Sequence, residues 1–253
     1  MIPYIRREKI LEIIGQREIV YLPQLLEIFT DASESTLRRD LKILSTTGHI
    51  TLLHGGAVKL KVGSTVDLPI QDKLTLNKTE KDAIARTAAS FVSEGDVIYL
   101  DSSTTVLPMV HYLKGKKITI ITSSARLLSL LDDENITCIV LGGEVVIQTG
   151  SIVGSITENL LSTMFFDKAF VGANGFSQLG GINTPDYREA RKKQIVKQNS
   201  KAMYLLMDSS KAEVTTFCKV FELQECTIIT DSDHELLGNF LHSIIVAKSD
   251  HEC

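Results

Sequence analysis

Two rhythms of apolar residues divide the chain. Helical spacing runs over roughly the first fifty positions, and strand-like and helix-like runs alternate from about residue 78. Ile10, Leu11, Ile13 and Ile14 predict a helix over 6–14, stopped by Gly15. Ile19, Val20 and Tyr21 form a short β-prone run. Pro23 suits the first turn of a second helix over 23–29, where a missing N–H has no partner to lose. That helix offers Leu25, Leu26, Ile28 and Phe29 to a core. After a turn at 30–32, Ser33 is placed to cap a third helix over 34–45.

In the third helix Leu37, Leu41 and Leu44 stand at i, i+4 and i+7 and make one apolar face. Ser35, Thr36, Arg38, Arg39 and Lys42 are left for the other faces. A helix, a tight turn and a helix with basic and hydroxyl residues outward is the helix-turn-helix pattern. Arginine reads guanine edges or clamps phosphates, and hydroxyls near the helix start, such as Ser35 and Thr36, can donate to the DNA backbone. On charge alone, Arg38, Arg39 and Lys42 would equally make a solvated face with Asp40 as local counter-charge. The residues beyond the helix favour DNA. Gly48 ends the helix, 50–53 reads as a short strand, and His54-Gly55-Gly56-Ala57 turns beyond it, which is a helix followed by a wing.

Residues 58–77 read as a linker, because Gly63-Ser64-Thr65 and Pro69 break any regular pattern. Leu68, Ile70 and Leu74 are available there to pack on a second domain. Beyond a helix over 79–92, strand-like runs fall at 97–100, 118–121, 137–141, 168–171, 202–207, 227–229 and 243–246. Helical patterns separate most of them, which predicts an α/β domain with a largely parallel sheet.

Ligands of such sheets bind outside the carboxyl ends of the strands. The stretches at those ends are 101–105, 122–124, 142–144, 172–175, 208–211 and 230–231, rich in glycine and hydroxyls. Donors ahead of a helix make an anion site, with phosphate foremost. Ser102, Ser103, Thr104 and Thr105, preceding a predicted helix through Val106 and Val110, fit this best. Lys211 either reaches an anion there or is a solvated surface lysine.

The formal charge of −4 hides an asymmetry: through Lys61 the chain carries nine basic and seven acidic residues, leaving −6 on the remainder. The excess in the first part is mild, so its placement on one helix matters more than its size. No Cys-x-x-Cys or His-x-x-x-His pair occurs among the four cysteines and six histidines, so no metal or other cofactor is indicated. The longest apolar runs fall short of the ~20 residues needed to cross a bilayer. Charges at Arg6 to Lys9 interrupt the stretch a secretory signal would need, which makes a cytoplasmic protein without membrane contact the expectation.

The run Ser33-Glu34-Ser35-Thr36-Leu37-Arg38-Arg39-Asp40-Leu41, followed by Gly48 and His54-Gly55-Gly56-Ala57, resembles the N-terminal signature of DeoR-type bacterial transcription regulators. The second block is similar to the sensor domain of that family. The matching stretches are Glu80-Lys81, Ile84-Ala85, Asp101 to Thr105, Leu141-Gly142-Gly143, Gly172 to Gly175, Glu189-Ala190, Asp208 to Lys211 and Ile229-Thr230-Asp231. The resemblance implies a winged head on residues 1–57, a linker over 58–77 and an effector-binding, oligomerising domain over 78–253. That domain would share the fold of ribose-5-phosphate isomerase and CoA-transferase relatives. On this basis DNA contacts are assigned to Ser33, Ser35, Thr36, Arg38, Arg39, Lys42, His54 and Gly55. Effector contacts are assigned to Asp101, Ser102, Ser103, Thr104, Thr105, Ser123, Gly142, Gly143, Asn174, Glu189, Asp208 and Lys211.

Several positions depart from the family pattern. Leu52 stands where the wing usually has arginine, so that contact is either missing or supplied by Lys59 and Lys61. Ser103 replaces a loop glycine, Ser123 a common asparagine, and Val145 and Val146 occupy positions where arginine often follows the Gly-Gly. Fewer charged and amide donors imply a weaker hold on phosphate or a different effector.

The function expected is that of a DNA-binding regulator, most simply a repressor, of a sugar-metabolism operon. It would be controlled by a phosphorylated sugar and bind a double-stranded operator as a homo-oligomer, dimer or tetramer. The alternative is a sugar-phosphate isomerase with an accessory head, using Asp101, Glu189, Lys211 and Asp231 as acid–base groups. No compact catalytic set stands out among them, and Glu144 is the sole candidate for a CoA-transferase nucleophile.

Overall fold

The computed structural model describes residues 2–15, 17, 19–46, 50–60, 67, 70–178, 180–238 and 244–247. Gly48, Lys61, Gly63, Ser64, Thr65, Leu68, Pro69 and Ser243 lie outside the described residues.

The head packs three helices, α1 (Pro3–Gly15), α2 (Leu22–Ile28) and α3 (Glu34–Thr46), on a small antiparallel sheet. Its strands are β1 (Val20–Tyr21), β2 (Ile50–Leu52) and β3 (Ala57–Leu60), in the order β1-β3-β2. Ile10 and Ile14 of α1, Leu25 of α2 and Leu37, Leu41 and Leu44 of α3 close on Val20, Ile50 and Val58. Each such side chain, fully withdrawn from water, stabilises by about 1.5–3 kcal/mol. Burial of the three α3 leucines fixes the rotation of the helix and turns Arg38, Arg39 and Lys42 outward.

The wing reaches further than residue 57. Val58 is fully buried and is paired on both sides, with Val20 of β1 and Leu52 of β2. The linker expected from residue 58 therefore starts too early, because Val58, Lys59 and Leu60 continue a strand instead of ending a turn. Ile70–Thr75 is likewise not irregular but a short helix, α4, whose Ile70 is buried in the core of the body.

After α5 (Lys78–Ala89) come β4 (Val97–Leu100), α6 (Met109–Tyr112), β5 (Ile118–Thr122), β6 (Ile136–Val140) and a hairpin of β7 (Glu144–Val146) and β8 (Ser151–Val153). Next are α7 (Ser155–Ser162), β9 (Phe166–Gly172), β10 (Gly175–Ser177), β11 (Gly181–Thr184), α8 (Tyr187–Gln198), β12 (Ser200–Leu206), β13 (Cys218–Phe221), β14 (Thr227–Thr230) and β15 (Ile244–Val246). The seven strand-like runs of the sequence all lie in one parallel sheet, ordered β15-β14-β12-β9-β4-β5-β6. Both faces are covered, as a parallel sheet requires. Ile98 and Leu100 point to the core shared with α5 and α6, while Tyr99 between them points to the core shared with α7 and α8. The β7–β8 hairpin and an antiparallel sheet β10-β11-β13 were not anticipated, since their strands of three or four residues carry little periodic signal.

Strand order places the site. From β4 the chain moves outward through β5 and β6, then returns to the other flank of β4 and moves outward again through β9, β12, β14 and β15. The crevice between the carboxyl ends of β4 and β9 is thus a topological switch point, where an open α/β sheet leaves room for a ligand.

Candidate functional site

The outer face of α3 begins at Ser33. Its Oγ accepts the Thr36 N–H at 3.3 Å and lies 2.9 Å from Ser35 Oγ and 2.8 Å from Thr36 Oγ1. Arg38 donates through Nε and Nη2 to Glu34 Oε1 at 2.9 and 2.7 Å. An exposed i,i+4 pair of this kind contributes only about 0.3–0.5 kcal/mol, so a phosphate can compete for the guanidinium. Arg39 and Lys42 are exposed as well.

Asp40 does not serve as their counter-charge. It is turned inward, 3% exposed, and accepts from Arg6 Nε at 2.6 Å, with Arg7 Nε at 3.9 Å. This ion pair clamps α1 to α3 and leaves the outer basic residues without that carboxylate. His54 and Gly55 are exposed in the turn after β2, and Gly55 and Gly56 hold φ of +77° and +76°, a left-handed region that favours glycine. Leu52 is 47% exposed on the wing, and Lys59, opposite Thr51, is exposed too.

The second site is a cavity of about 260 Å³ at the switch point. The loop after β4 supplies Asp101 to Thr105, the loop after β9 supplies Gly172 to Asn174, and α8 supplies Arg188, Glu189 and Lys193. Lys81, Lys211, Thr184 to Asp186, the hairpin residues Val146, Gln148 and Thr149, and Asp67, Ile70 and Lys73 complete the wall. Five cationic side chains thus face four carboxylates.

Asp101 anchors the floor. Oδ1 accepts from Ser103 N at 2.8 Å, Oδ2 accepts from Gly172 N at 2.8 Å, and Lys193 Nζ pairs with Oδ2. Lys193 also lies 3.9 Å from Glu189 Oε2, whose other oxygen takes Lys192 Nζ at 3.0 Å and the Ser151 hydroxyl. Burial pushes the Glu189 carboxyl up, but Lys192 and Lys193 outweigh it and hold it down at about 2. Burial depresses both lysines; Asp101 and Glu189 reverse this for Lys193, which is raised, whereas Lys192 stays lowered. Lys192 donates further to Ser123 Oγ at 3.0 Å, Ser151 Oγ at 2.7 Å and Ile152 O at 2.9 Å, and Ser123 Oγ is 2.7 Å from Tyr99 Oη.

Of the expected effector residues, Asp101, Ser102, Ser103, Thr104, Thr105, Asn174, Glu189 and Lys211 line the cavity; Ser123, Gly142, Gly143 and Asp208 do not. Ser123 is fully buried in the chain from Tyr99 to Lys192. Gly142 and Gly143 shape the entry to β7: Gly142 O accepts from Thr157 Oγ1 at 2.8 Å, and a Cβ on Gly143 would collide with that same hydroxyl. Asp208 is buried and accepts from Asn77 Nδ2 at 2.8 Å and from Ser210, joining the cap of α5 to the loop after β12. Its burial favours the neutral acid, yet Lys211, Ser210, Lys81 and Asn77 hold the carboxyl below its usual range.

The helix expected through Val106 and Val110 is also shorter. Only Met109–Tyr112 is helical, so turns, hydroxyls and lysines rather than a long helix N-terminus surround the loop. Ser103 has a packing role beside Gly172, where a Cβ would collide with its Oγ. Among the acid–base groups considered, Asp231 does not line the cavity and accepts instead from Ser209 N at 2.6 Å and Ser209 Oγ at 2.9 Å. Glu144 pairs with Arg188 at 2.9 Å on the surface.

Sequence reasoning missed Lys193, Lys192 and Arg188, because they come from a helix and not from a strand end. A signal was available: Glu189, Lys192 and Lys193 stand at i, i+3 and i+4, one face of a helix with few apolar residues to bury.

A family model described as the DeoR-like helix-turn-helix domain matches residues 6–62, and one for the DeoR C terminal sensor domain matches residues 76–232. The uncharacterized HTH-type transcriptional regulator FruR of Bacillus subtilis is 36% identical over 95% of this chain and 96% of its own. The HTH-type transcriptional regulator GolR of Listeria innocua is 32% identical over 92% of both chains. The lactose phosphotransferase system repressor of Lactococcus lactis is 35% identical over 81% of this chain and 82% of its own. Ribose 5-phosphate isomerase A of Neisseria gonorrhoeae aligns over 59% of this chain and 56% of its own, at 22% identity and a TM-score of 0.38, too distant to bear on function.

Proposed function

The chain belongs to the DeoR family of transcriptional regulators, and from that premise we propose that it represses a sugar-metabolism operon under the control of a phosphorylated sugar. In this reading α3 enters the major groove of a double-stranded operator with Ser33, Ser35, Thr36, Arg38, Arg39 and Lys42, while His54 and Gly55 of the wing meet the backbone. The head extends through about Leu60, and the body takes in α4, whose Ile70 is buried in its core.

The observation that carries the effector reading is the cavity at the β4–β9 switch point. Its hydroxyl loop, Asn174, and a cation excess that includes Lys81 and Lys211 suit an anion bearing hydroxyl groups. At about 260 Å³ it lies near the lower end of ligand-pocket sizes, about 300 Å³ and upward, which favours a monosaccharide phosphate over a nucleotide. The Lactococcus lactis relative, a lactose phosphotransferase system repressor, points the same way.

A single winged head buries too little DNA for tight specific binding, so the working form is a homo-oligomer, dimer or tetramer, reading repeated half-sites. The test is a thermal-shift screen of the full chain against pentose and hexose phosphates, since a ligand held by the folded state raises Tm by mass action. One sugar phosphate should raise Tm and change operator affinity in the same concentration range. A panel without any shift would refute the effector assignment.

A further inference from the structure

Asp67 lies between the last wing strand and the body, with six residues separating it from Leu60. Its carboxylate occupies the edge of the cavity: Oδ1 accepts from Asn174 Nδ2 at 2.8 Å and pairs with the Lys73 ammonium. Thr184 Oγ1 donates to Asn174 Oδ1 at 3.1 Å, which orients the amide with its donors toward Asp67. The same segment is fastened to the β7–β8 hairpin at Gln148, whose Nε2 donates to Asp67 O at 3.0 Å and whose carbonyl accepts the Ile70 N–H at 3.1 Å. An amide and an ammonium converging on one carboxylate form an anion subsite, and here a group on the chain leading to the DNA-binding head fills it.

We propose that Asp67 is an internal occupant of an anion subsite formed by Asn174 and Lys73, and that an anionic sugar displaces it and thereby loosens the hold of Gln148 on Asp67 and Ile70. The proposal rests on the sugar-phosphate reading of the cavity. One subsite cannot hold two anions, so ligand and docked Asp67 exclude each other. The apparent affinity for ligand is then reduced by the fraction of molecules with Asp67 in place. By linkage, ligand binding shifts the position at which the body holds the chain running to the wing. The control is electrostatic and local, and it needs no rearrangement of the parallel sheet.

The experiment uses the full chain, wild type and Asp67→Ala, titrated calorimetrically with inorganic phosphate, ribose 5-phosphate and fructose 6-phosphate, with amide hydrogen exchange followed over 67–76. Displacement predicts that Asp67→Ala binds a sugar phosphate on the order of 5-fold to 150-fold more tightly, the usual range of a coupling between sites. It also predicts that saturating ligand speeds exchange at the Ile70 amide of the wild type toward the rate of the unliganded variant. Asp67→Asn, which keeps the shape and loses the charge, should shift affinity in the same direction by less. If the wild type binds a sugar phosphate but affinity is unchanged by Asp67→Ala, or tightens while ligand leaves exchange unchanged or slows it, the displacement idea is wrong and the effector reading stands. If neither protein binds any of the anions, the effector reading fails and the proposal with it.

Discussion

The head and the body use charge in opposite ways. On α3 Arg38, Arg39 and Lys42 are exposed, Arg38 in a weak i,i+4 pair with Glu34, and the Asp40 carboxylate beside them is turned inward to Arg6. In the body the charges are withdrawn from water and answered internally, Lys193 by Asp101 and Lys192 by Glu189. A charged face in solvent can be met by a partner outside the molecule. A buried, balanced cluster instead fixes the shape of a cavity, whose lining also includes Lys73, Lys81 and Lys211.

The sharpest way to break this contrast is Lys193→Met. Removing one partner of a buried ion pair leaves Asp101 uncompensated, which costs about 3–5 kcal/mol. The unfolding transition of the body in urea should drop accordingly, while Arg39→Ala in the head should leave stability within about 0.5 kcal/mol. A surface-like response at Lys193 would mean that the cluster is solvated.

Arg39→Ala tests the opposite pole. It should weaken operator binding by about 1–3 kcal/mol if the side chain reads a base, or weaken all sequences alike and lower the salt slope by about 1 if it holds a phosphate. Unchanged affinity in a gel-shift titration would remove α3 as the reading helix. Thr104→Val with Thr105→Val should cost about 0.5–1.5 kcal/mol per lost hydroxyl in sugar-phosphate affinity and leave ligand-free operator binding intact; calorimetry of the ligand reads it directly.

Acid provides a further comparison. Glu189 titrates near 2 in the fold against an ordinary 4.5, so its contribution to stability is complete above about pH 4.5 and is lost as pH falls toward 2. Glu189→Gln should flatten the decline in body stability over that window, as followed by circular dichroism. The smallest effect is expected from Leu52→Arg, which adds a cation to the wing and should steepen the salt dependence of DNA binding by about 0.9 in log–log slope.

Much of the head was legible in the sequence, because a 3.6-residue period tells which side of α3 is buried and therefore which side is free. The inward turn of Asp40 was not. Its place next to Arg39 suggests a surface neighbour, yet it lies on the Leu37–Leu41–Leu44 side, and its partner Arg6 is 34 residues away. In the body the loops at strand ends were found by their composition, and eight of the expected side chains meet at one cavity. Ser123 and Asp208 share that composition but are buried elsewhere, since the end of a strand is a necessary and not a sufficient address.

By itself the sequence determined the elements: three head helices with an outward basic face, the Gly55–Gly56 turn, and seven strands alternating with helices. Those come from spacing and local backbone preference, which act over a few residues. Only the tertiary structure decided that β4 lies beside β9, that Lys193 meets Asp101 across 92 positions and that Asp67 meets Asn174 across 107. Periodicity specifies which face of an element is buried; it carries no information about what that face will meet, and a binding site is made of such meetings.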